Sequence, residues 1–337
     1  MKSLKRGSRL ITLMISVFII GMIVLIAKIQ MEASFYISNS GSRNLGYIYD
    51  RNGDIIFDDN AENGQYPDGY FKDLGNLIGD ASGQMTNTLV AKNLEKLSNY
   101  SFTSGITYKG GKAAIYSTLS HEANEAVYSA FGDKDGCAIA YNYKTGEILV
   151  CVSRPSVDPL KGYEDLAEGS LLCKAFYKTV PGSTQKIATL ISAVETMGMD
   201  ALMEKSFTCN GVYTNNTGLD IVCHNEYGHG TQNIREAFAN SCNPFFAQLV
   251  EDSGWSLSDI EDCYKKLGYS VNGSEETEIS IDGIISSKAS TTLEDKNEFN
   301  TQWSCIGQGT SLVSPCQLMM WQSAIANESG KSTMPYP

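Results

Sequence analysis

The sequence predicts an α+β fold in which helices pack on an antiparallel sheet, preceded by a single transmembrane helix and a short linker region. Three observations lead to this fold class. They are pairs of β-rich runs separated by polar turns, helical periodicity in the second half, and an uncharged apolar stretch near the N-terminus. The 337 residues are 42% hydrophobic and 19% charged, which is enough apolar material for a sizeable core.

The uncharged apolar stretch runs from Leu10 to Ala27, and eighteen residues are just enough to cross a bilayer as a helix. Basic residues lie mostly before it, which predicts a cytoplasmic tail over 1–9, an anchor over 10–27 in the cell membrane, and an extracytoplasmic remainder. A cleaved signal peptide is the alternative, but it predicts a shorter apolar run and a small-residue cleavage site. The basic residues are Lys2, Lys5, Arg6, Arg9 and, after the stretch, Lys28.

Two hairpins and a further strand are predicted in the first half. Residues 47–57 form two short apolar runs around Asn52-Gly53, and the β-rich runs 137–141 and 148–152 flank a polar turn. Residues 113–119 predict a separate strand. Helical spacing then predicts four helices: 122–131, one from near Ser183 past Met197, 234–251, and 315–327 with proline in its first turn.

The first chemical pattern is a serine followed three residues later by a lysine, Ser183 and Lys186, at the start of an apolar helix. Residues three apart share a helical face, so the amine lies near the hydroxyl. A serine hydroxyl is a weak nucleophile until a base removes its proton, and a lysine deprived of water becomes such a base. Taken alone, the pattern also fits an ordinary helix-capping serine with a solvated lysine.

The second pattern is Ser241-Cys242-Asn243, inside the predicted helical stretch 234–251. Residues two apart do not share a helical face, so both polar side chains serve one site only if the helix breaks here. Pro244 directly afterwards favours such a break. Ser241 would then relay a proton between Lys186 and the leaving group, and Asn243 would donate to an amide carbonyl of the substrate. Alone, this triplet also fits an ordinary helix cap.

Together the two patterns resemble the first two motifs of serine β-lactamases and penicillin-binding proteins, whose third motif is Lys-Thr-Gly. From about residue 45 onward the chain is similar to class B penicillin-binding proteins. Three segments carry the resemblance most clearly: 142–159, 228–246 and 306–327. The resemblance implies a fold of the serine β-lactamase/penicillin-binding transpeptidase type.

The resemblance also implies a function, a peptidoglycan D,D-transpeptidase that cross-links stem peptides ending in D-Ala-D-Ala and is acylated by β-lactams. Ser183, Lys186 and Ser241 are the expected catalytic residues and Asn243 the expected substrate-binding residue, without a cofactor or metal. The expected partners are stem peptides, β-lactams, the cytoplasmic membrane and a polymerase of the wall-synthesis complex. A net charge of −12 argues against nucleic acid as a partner.

The third motif is not found at its expected place. Lys144-Thr145-Gly146 has the right letters but precedes Ser183 and lies in a predicted hairpin turn. We expect residues 28–111 to be a linker or short pedestal. Because the third motif is missing, we expect 112–337 to be a C-terminally incomplete transpeptidase domain. In the family this motif supplies an oxyanion-hole donor, whose loss costs about 10²–10³ in rate. The 337-residue chain is thus expected to be inactive and a C-terminally extended form to react with penicillin.

Two other functions remain open at the level of sequence. A β-lactam sensor would stay acylated, but it would need a signalling domain larger than the nine residues before Leu10. A non-catalytic scaffold of the wall-synthesis complex would explain the missing third motif. Within the resemblance, Gln185 stands where the family usually has an aromatic residue, and Cys173-Lys174 where Asn-Arg is common, which bears on substrate preference more than on reaction type.

A zinc site is a further possibility raised by the cysteines and histidines between residues 209 and 229. Cys209, Cys223, His224 and His229 do not have the spacing of a common zinc finger, because no second cysteine follows the first within two to four residues. A structural loop with a contact between Cys209 and Cys223 is the preferred interpretation. The nine cysteines of the chain are expected to be mostly small buried hydrophobes.

Overall fold

A computed structural model describes residues 2–31, 45–58, 72–101, 105–106, 113–273 and 277–337. The contacts divide the chain into two compact units. The first unit is Met1–Gly132 with Pro155–Leu172, and the second is Asp133–Arg154 with Cys173–Pro337. The domain boundaries expected from the sequence stay predictions.

The N-terminal helix α1 spans Lys2–Met31. Within it, Arg9–Ile29 has a mean hydropathy of 3.0 and is long and apolar enough to cross a membrane. The described side chains of this stretch are almost all exposed, so they have no protein core to pack in. A signal sequence meets the same criteria of length and composition, and the direction of insertion stays a prediction.

The first unit contains a small three-stranded sheet in the order β2-β1-β5. Strands β1 (Tyr47–Tyr49) and β2 (Ile55–Asp58) are antiparallel, which confirms the first hairpin. The strand expected over 113–119 is β5 (Ala114–Tyr116), parallel to β1. The other elements of this unit are β3 (Tyr100–Ser101), β4 (Gly105–Ile106), α2 (Gly75–Ile78), α3 (Leu89–Lys92), α4 (Leu94–Leu97) and α5 (His121–Ala130).

The second unit begins with the second predicted hairpin. Strands β6 (Gly136–Tyr141) and β7 (Ile148–Arg154) are antiparallel. In the turn between them, the Asn142 side chain accepts a hydrogen bond from the Lys144 N–H at 3.0 Å. Gly146 has φ +91°, a left-handed conformation that favours glycine. The Lys-Thr-Gly letters therefore lie in a hairpin turn, as predicted.

Helices make up most of the rest of the second unit. The predicted helix beginning near Ser183 is a 3-10 turn, Gly182–Gln185, followed by an α-helix that ends at Met197. The expectation that it runs past Met197 was wrong, because Gly198 has φ +80° and a separate short helix follows. The helices are α6 (Lys186–Met197), α7 (Met199–Glu204), α8 (Ile234–Ala239), α9 (Asn243–Glu251), α10 (Leu257–Lys266), α11 (Phe299–Cys305) and α12 (Pro315–Ala326).

Helix α9 lies at the centre of the second unit. Phe245, Phe246, Leu249 and Val250 are fully buried, so the helix is covered on nearly all sides. Besides the β6–β7 hairpin, the described part of the unit contains four two-stranded sheets, which pair β8 with β11, β9 with β10, β12 with β15 and β13 with β14. These strands are β8 (Ser206–Cys209), β9 (Val212–Thr214), β10 (Asp220–Val222), β11 (Gly230–Asn233), β12 (Ser270–Val271), β13 (Glu278–Ile281), β14 (Ile284–Ser287) and β15 (Ser290–Thr291).

Candidate active site

Ser183 lies in the 3-10 turn that precedes α6, and its side chain is exposed. The turn is fixed from behind, because the Gly182 N–H donates to the Gly307 carbonyl at 2.9 Å. Gly307 has φ +93°, and a Cβ at this position would lie only 1.7 Å from the Gly182 oxygen. A glycine is therefore required at residue 307 for the backbone to hold the serine at the surface.

Lys186, on the first turn of α6, is buried directly beneath the serine and is only 1% exposed. Its Nζ lies 2.9 Å from Ser183 Oγ. Three further oxygens surround the amine: the Ser241 carbonyl at 3.0 Å, Ser241 Oγ at 3.1 Å and Asn243 Oδ1 at 2.7 Å. An ammonium has three N–H donors, so the four oxygens exceed what it can satisfy. A neutral amine has two N–H donors and one lone pair, so it can donate to the two oxygens that only accept, the Ser241 carbonyl and Asn243 Oδ1, and accept a hydrogen bond from one hydroxyl.

Burial lowers the pKa of Lys186 to about 8, while the nearby thiols of Cys242 and Cys223 oppose the shift. Removal from water disfavours the charged ammonium. At pH 7 a group with this pKa is neutral in about a tenth of the molecules, against about one in three thousand for an ordinary lysine. The amine is therefore available as a base near neutral pH.

Ser241 and Asn243 reach the same amine because the chain kinks between α8 and α9. Ser241 has φ +50°, a left-handed conformation that is uncommon for a residue with a Cβ. Asn243 is the first residue of α9, and its Nδ2 donates to the Val222 carbonyl at 3.0 Å. The predicted break in the helix is confirmed, and it lets two side chains that would diverge on a continuous helix meet at Lys186.

Two contributions to the site were not predicted from the sequence. The Phe246 ring centroid lies 5.8 Å from Lys186 Nζ, and this ring is fully buried. It excludes water from one side of the amine while offering a weak cation–π contact to the charged form. Phe246 follows Asn243 by three residues on α9, a spacing that could have indicated the shared face. The role of Gly307 depends on its contact with Gly182, which is distant in sequence, so no local sequence pattern indicates it.

The departures from the family pattern lie inside the fold. Gln185 is fully buried, and its Oε1 accepts a hydrogen bond from the Tyr269 hydroxyl. Cys173 is also buried, with its sulfur 3.4 Å from that of Cys151, and Lys174 Nζ donates to the Arg154 carbonyl at 2.5 Å. Gln185 therefore packs under the nucleophile turn to which it belongs, whereas Cys173 and Lys174 contact strand β7.

A family model described as the penicillin binding protein transpeptidase domain matches residues 136–336. The chain belongs to this family. The match begins at β6 and includes both sequence motifs, Ser183 to Lys186 and Ser241 to Asn243. It covers more than half of the chain, and it confirms the family to which the sequence motifs pointed.

Curated proteins of similar sequence include one from Bacillus subtilis and one from Mycolicibacterium smegmatis. Stage V sporulation protein D of Bacillus subtilis is 32% identical over 203 residues, which are 59% of this chain and 29% of that protein. Peptidoglycan D,D-transpeptidase PbpA of Mycolicibacterium smegmatis is 29% identical over 174 residues, 45% of this chain and 35% of that protein. The chain thus spans about a third of the length of the curated relatives it matches.

Solved structures of penicillin-binding proteins share the fold. PBPA from Mycobacterium tuberculosis superposes with a TM-score of 0.72 at 19% identity, covering 88% of this chain and 73% of that one. PBP2 of Pseudomonas aeruginosa superposes with a TM-score of 0.66 at 19% identity, and the superposition covers 87% of this chain and 71% of that one. The α+β transpeptidase fold predicted from the sequence is confirmed.

Proposed function

We propose that this chain is the acyl-transferring part of a peptidoglycan D,D-transpeptidase whose nucleophile is Ser183. The observation that carries the proposal is a lysine amine, 1% exposed, 2.9 Å from an exposed serine hydroxyl. A nucleophile and a base within hydrogen-bond reach, with the base held by further polar groups, is the arrangement that acyl transfer needs. Family membership and the D,D-transpeptidase among the curated relatives support this reaction.

In the acylation step, neutral Lys186 Nζ accepts the Ser183 proton while Oγ attacks the carbonyl carbon of the penultimate D-Ala. The C–O bond forms and the carbonyl oxygen becomes an oxyanion. Backbone N–H groups at the start of α6 would stabilise that developing charge. The peptide C–N bond then breaks, the terminal D-Ala leaves as an amine carrying the proton, and an ester to Ser183 remains.

In the second half-reaction, an amine of a neighbouring stem peptide attacks the ester. Its proton passes to the Lys186 and Ser241 pair, and Ser183 Oγ regains a proton as the C–O bond breaks. Ser241 suits this relay because its Oγ lies 3.1 Å from Lys186 Nζ. Asn243 Oδ1 accepts a hydrogen bond from the Lys186 amine, and this orientation directs Nδ2 of the same side chain away from the lysine. One Nδ2 proton bonds the Val222 carbonyl, and the second is assigned to an amide carbonyl of the substrate.

The proposal extends to location and partners. Helix α1 would act as a single membrane anchor with its N-terminus inside, so that the transpeptidase faces the peptidoglycan. Membrane attachment keeps such an enzyme near a polymerase of the wall-synthesis complex, which we assign as its protein partner. β-Lactams would acylate Ser183 in place of the stem peptide.

The test uses the full-length product of the gene in membranes, incubated with a fluorescent penicillin. We expect a covalent adduct that peptide mass spectrometry assigns to Ser183, and its loss in Ser183→Ala. Ser253→Ala, an exposed serine of the same unit, is the matched control and should label normally. A folded protein without an adduct would favour a scaffold function, and an adduct on another side chain would overturn the assignment of the nucleophile.

A further inference from the structure

A second group of reactive side chains includes the cysteine of the Ser241-Cys242-Asn243 triplet. The sulfurs of Cys209, Cys223 and Cys242 and a ring nitrogen of His229 all lie within 4.8 Å of one another. The three cysteines are at most 3% exposed, and all are free thiols. Three thiols and an imidazole converging in a core are the donor set of a closed zinc site.

The spacing of these donors is close to that of ligands around one tetrahedral ion. With zinc–ligand bonds of their usual length, two sulfur ligands lie about 3.8 Å apart, and a sulfur and a nitrogen about 3.5 Å. Cys223 Sγ and His229 Nδ1 are 3.5 Å apart. His224 Nδ1 is 4.0 Å from the same sulfur but does not belong to the four-donor group. Its ring packs against that of His229, with centroids 5.2 Å apart.

Backbone hydrogen bonds hold together the segments that carry the cluster. The His229 N–H donates to the Cys209 carbonyl oxygen at 3.0 Å, and the Cys223 N–H donates to the Gly211 carbonyl oxygen at 2.8 Å. Gly228 permits the tight fold of this loop, since a Cβ there would lie 2.2 Å from the Cys209 carbonyl oxygen.

The four donors come from four separate segments. Cys209 ends β8, Cys223 directly follows β10, His229 directly precedes β11, and Cys242 is the N-cap of α9. A bound ion would therefore tie two small sheets to the central helix. The sequence spacing of 13, 5 and 12 intervening residues matches no common finger, which explains why the sequence favoured a structural loop.

We propose that Cys209, Cys223, His229 and Cys242 bind one structural Zn²⁺. Thiolate and imidazole ligands in tetrahedral geometry select zinc over magnesium, calcium and manganese. Four protein ligands leave no open position, so the ion is structural and the acyl transfer stays with Ser183. Binding releases the thiol protons to solvent, because only the thiolate ligates the metal.

The ion also has a consequence for the proposed active site, and this part rests on the proposed function. In sequence, Cys242 lies between Ser241 and Asn243, both of which contact Lys186. Ser241 is held in a left-handed conformation, φ +50°, that few residues adopt unaided. A metal bond to Cys242 would anchor this kink. Metal removal should loosen both contacts to Lys186 without changing the identity of any active-site residue.

The first experiment measures zinc in the full-length protein, purified in reducing buffer, by elemental mass spectrometry. We expect about one zinc per chain and, after exchange for Co²⁺, the absorption bands of a tetrahedral thiolate site. Cys242→Ser and His229→Gln should lose the metal. The matched controls Cys263→Ser, another buried cysteine, and His224→Gln, the neighbouring histidine, should keep it.

The second experiment keeps the proposal testable if a variant fails to fold. Wild-type protein is stripped with a chelator, and its melting temperature should fall and then recover with Zn²⁺ but not with Mg²⁺. Wild-type protein that binds no zinc as purified or after reconstitution would overturn the site. So would an intact mass showing disulfides among these cysteines in the reduced preparation, or zinc retained by both ligand variants.

Acylation of the same samples tests the link to the active site. We expect stripped wild-type protein to react with penicillin about tenfold more slowly and to recover on adding Zn²⁺. Equal rates with and without zinc would refute the positioning role while leaving the metal site intact. Absence of any penicillin adduct in zinc-loaded protein would instead count against the proposed function, so the two failures are distinguishable.

Discussion

Two lysines of this chain stand in short runs with the letters of the family's catalytic motifs, and their surroundings are opposite. Lys186 is 1% exposed and its amine contacts four oxygens. Lys144, in Lys144-Thr145-Gly146, lies exposed on the β6–β7 turn, with Nζ 5.6 Å from the Tyr143 ring centroid. The comparison teaches that a motif acquires chemistry from burial and from converging partners. The letters alone do not distinguish a base from a solvated cation.

The largest expected effect tests the buried member of this pair. Lys186→Met keeps an unbranched side chain of similar length but removes the base. We expect acylation of Ser183 by penicillin to fall by at least about 10³-fold, since the hydroxyl then has no proton acceptor. Stopped-flow or quenched labelling with a fluorescent penicillin measures the rate. A variant that labels within tenfold of wild type would exclude Lys186 as the base.

The same variant should be folded, and at neutral pH more stable than wild type. The folded pKa of about 8 lies below the ordinary value of 10.5, so the unfolded chain binds more protons between these two values. The free energy of unfolding of the wild type therefore rises between about pH 8 and pH 10.5. Below about pH 8, burial of the charged lysine lowers this free energy by up to about 3 kcal/mol. Lost hydrogen bonds offset part of this. We expect Lys186→Met to gain about 1–3 kcal/mol at pH 7 by denaturant unfolding, and less at pH 10.

The second prediction concerns the support of the serine that Lys186 serves. Gly307→Ala should lower the free energy of unfolding by more than about 3 kcal/mol, because its Cβ would overlap the Gly182 oxygen. The displaced turn should also slow acylation about 10²-fold. Gly283→Ala is the matched control: its φ is +87°, but a Cβ there meets nothing within 4 Å. This control should cost only about 1–2 kcal/mol of backbone strain, and equal losses in the two variants would contradict the proposed contact.

How far the sequence could predict this site depends on the distance between its parts. The contact between Ser183 and Lys186 follows from helical geometry over three residues, and Pro244 indicated the break that brings Ser241 into place. The cluster of three cysteines and His229 is formed by four segments spread over more than thirty residues, and no local sequence pattern predicts that they come together. The parallel pairing of β5 with β1 and the contact of Gly307 with Gly182 were unpredictable for the same reason. They depend on tertiary packing.

The third prediction concerns how the rate of acylation depends on pH through the buried Lys186. Because Lys186 must be neutral to accept a proton and its pKa is lowered to about 8, acylation should rise with pH and level off above about 8. Below that value the rate should fall about tenfold per pH unit, so that at pH 6 it is about 100-fold below the plateau. Penicillin labelling rates between pH 5.5 and 9.5 measure this, with unfolding monitored in parallel. A rate independent of pH from 6 to 9 would show that the ionisation of Lys186 does not control the step.

The smallest effect is expected at the exposed lysine, where a near-zero result is informative. Lys144→Ala removes one exposed cation from a turn whose conformation depends on Asn142 and on glycine at residue 146. Its contact with the Tyr143 ring is solvent-exposed and therefore weak. We expect the acylation rate to change less than about twofold and the free energy of unfolding by less than about 0.5 kcal/mol. If this variant instead lost acylation while remaining folded, Lys144-Thr145-Gly146 would be part of the active site, and the assignment of Lys186 as the functional lysine of the pair would have to be revised.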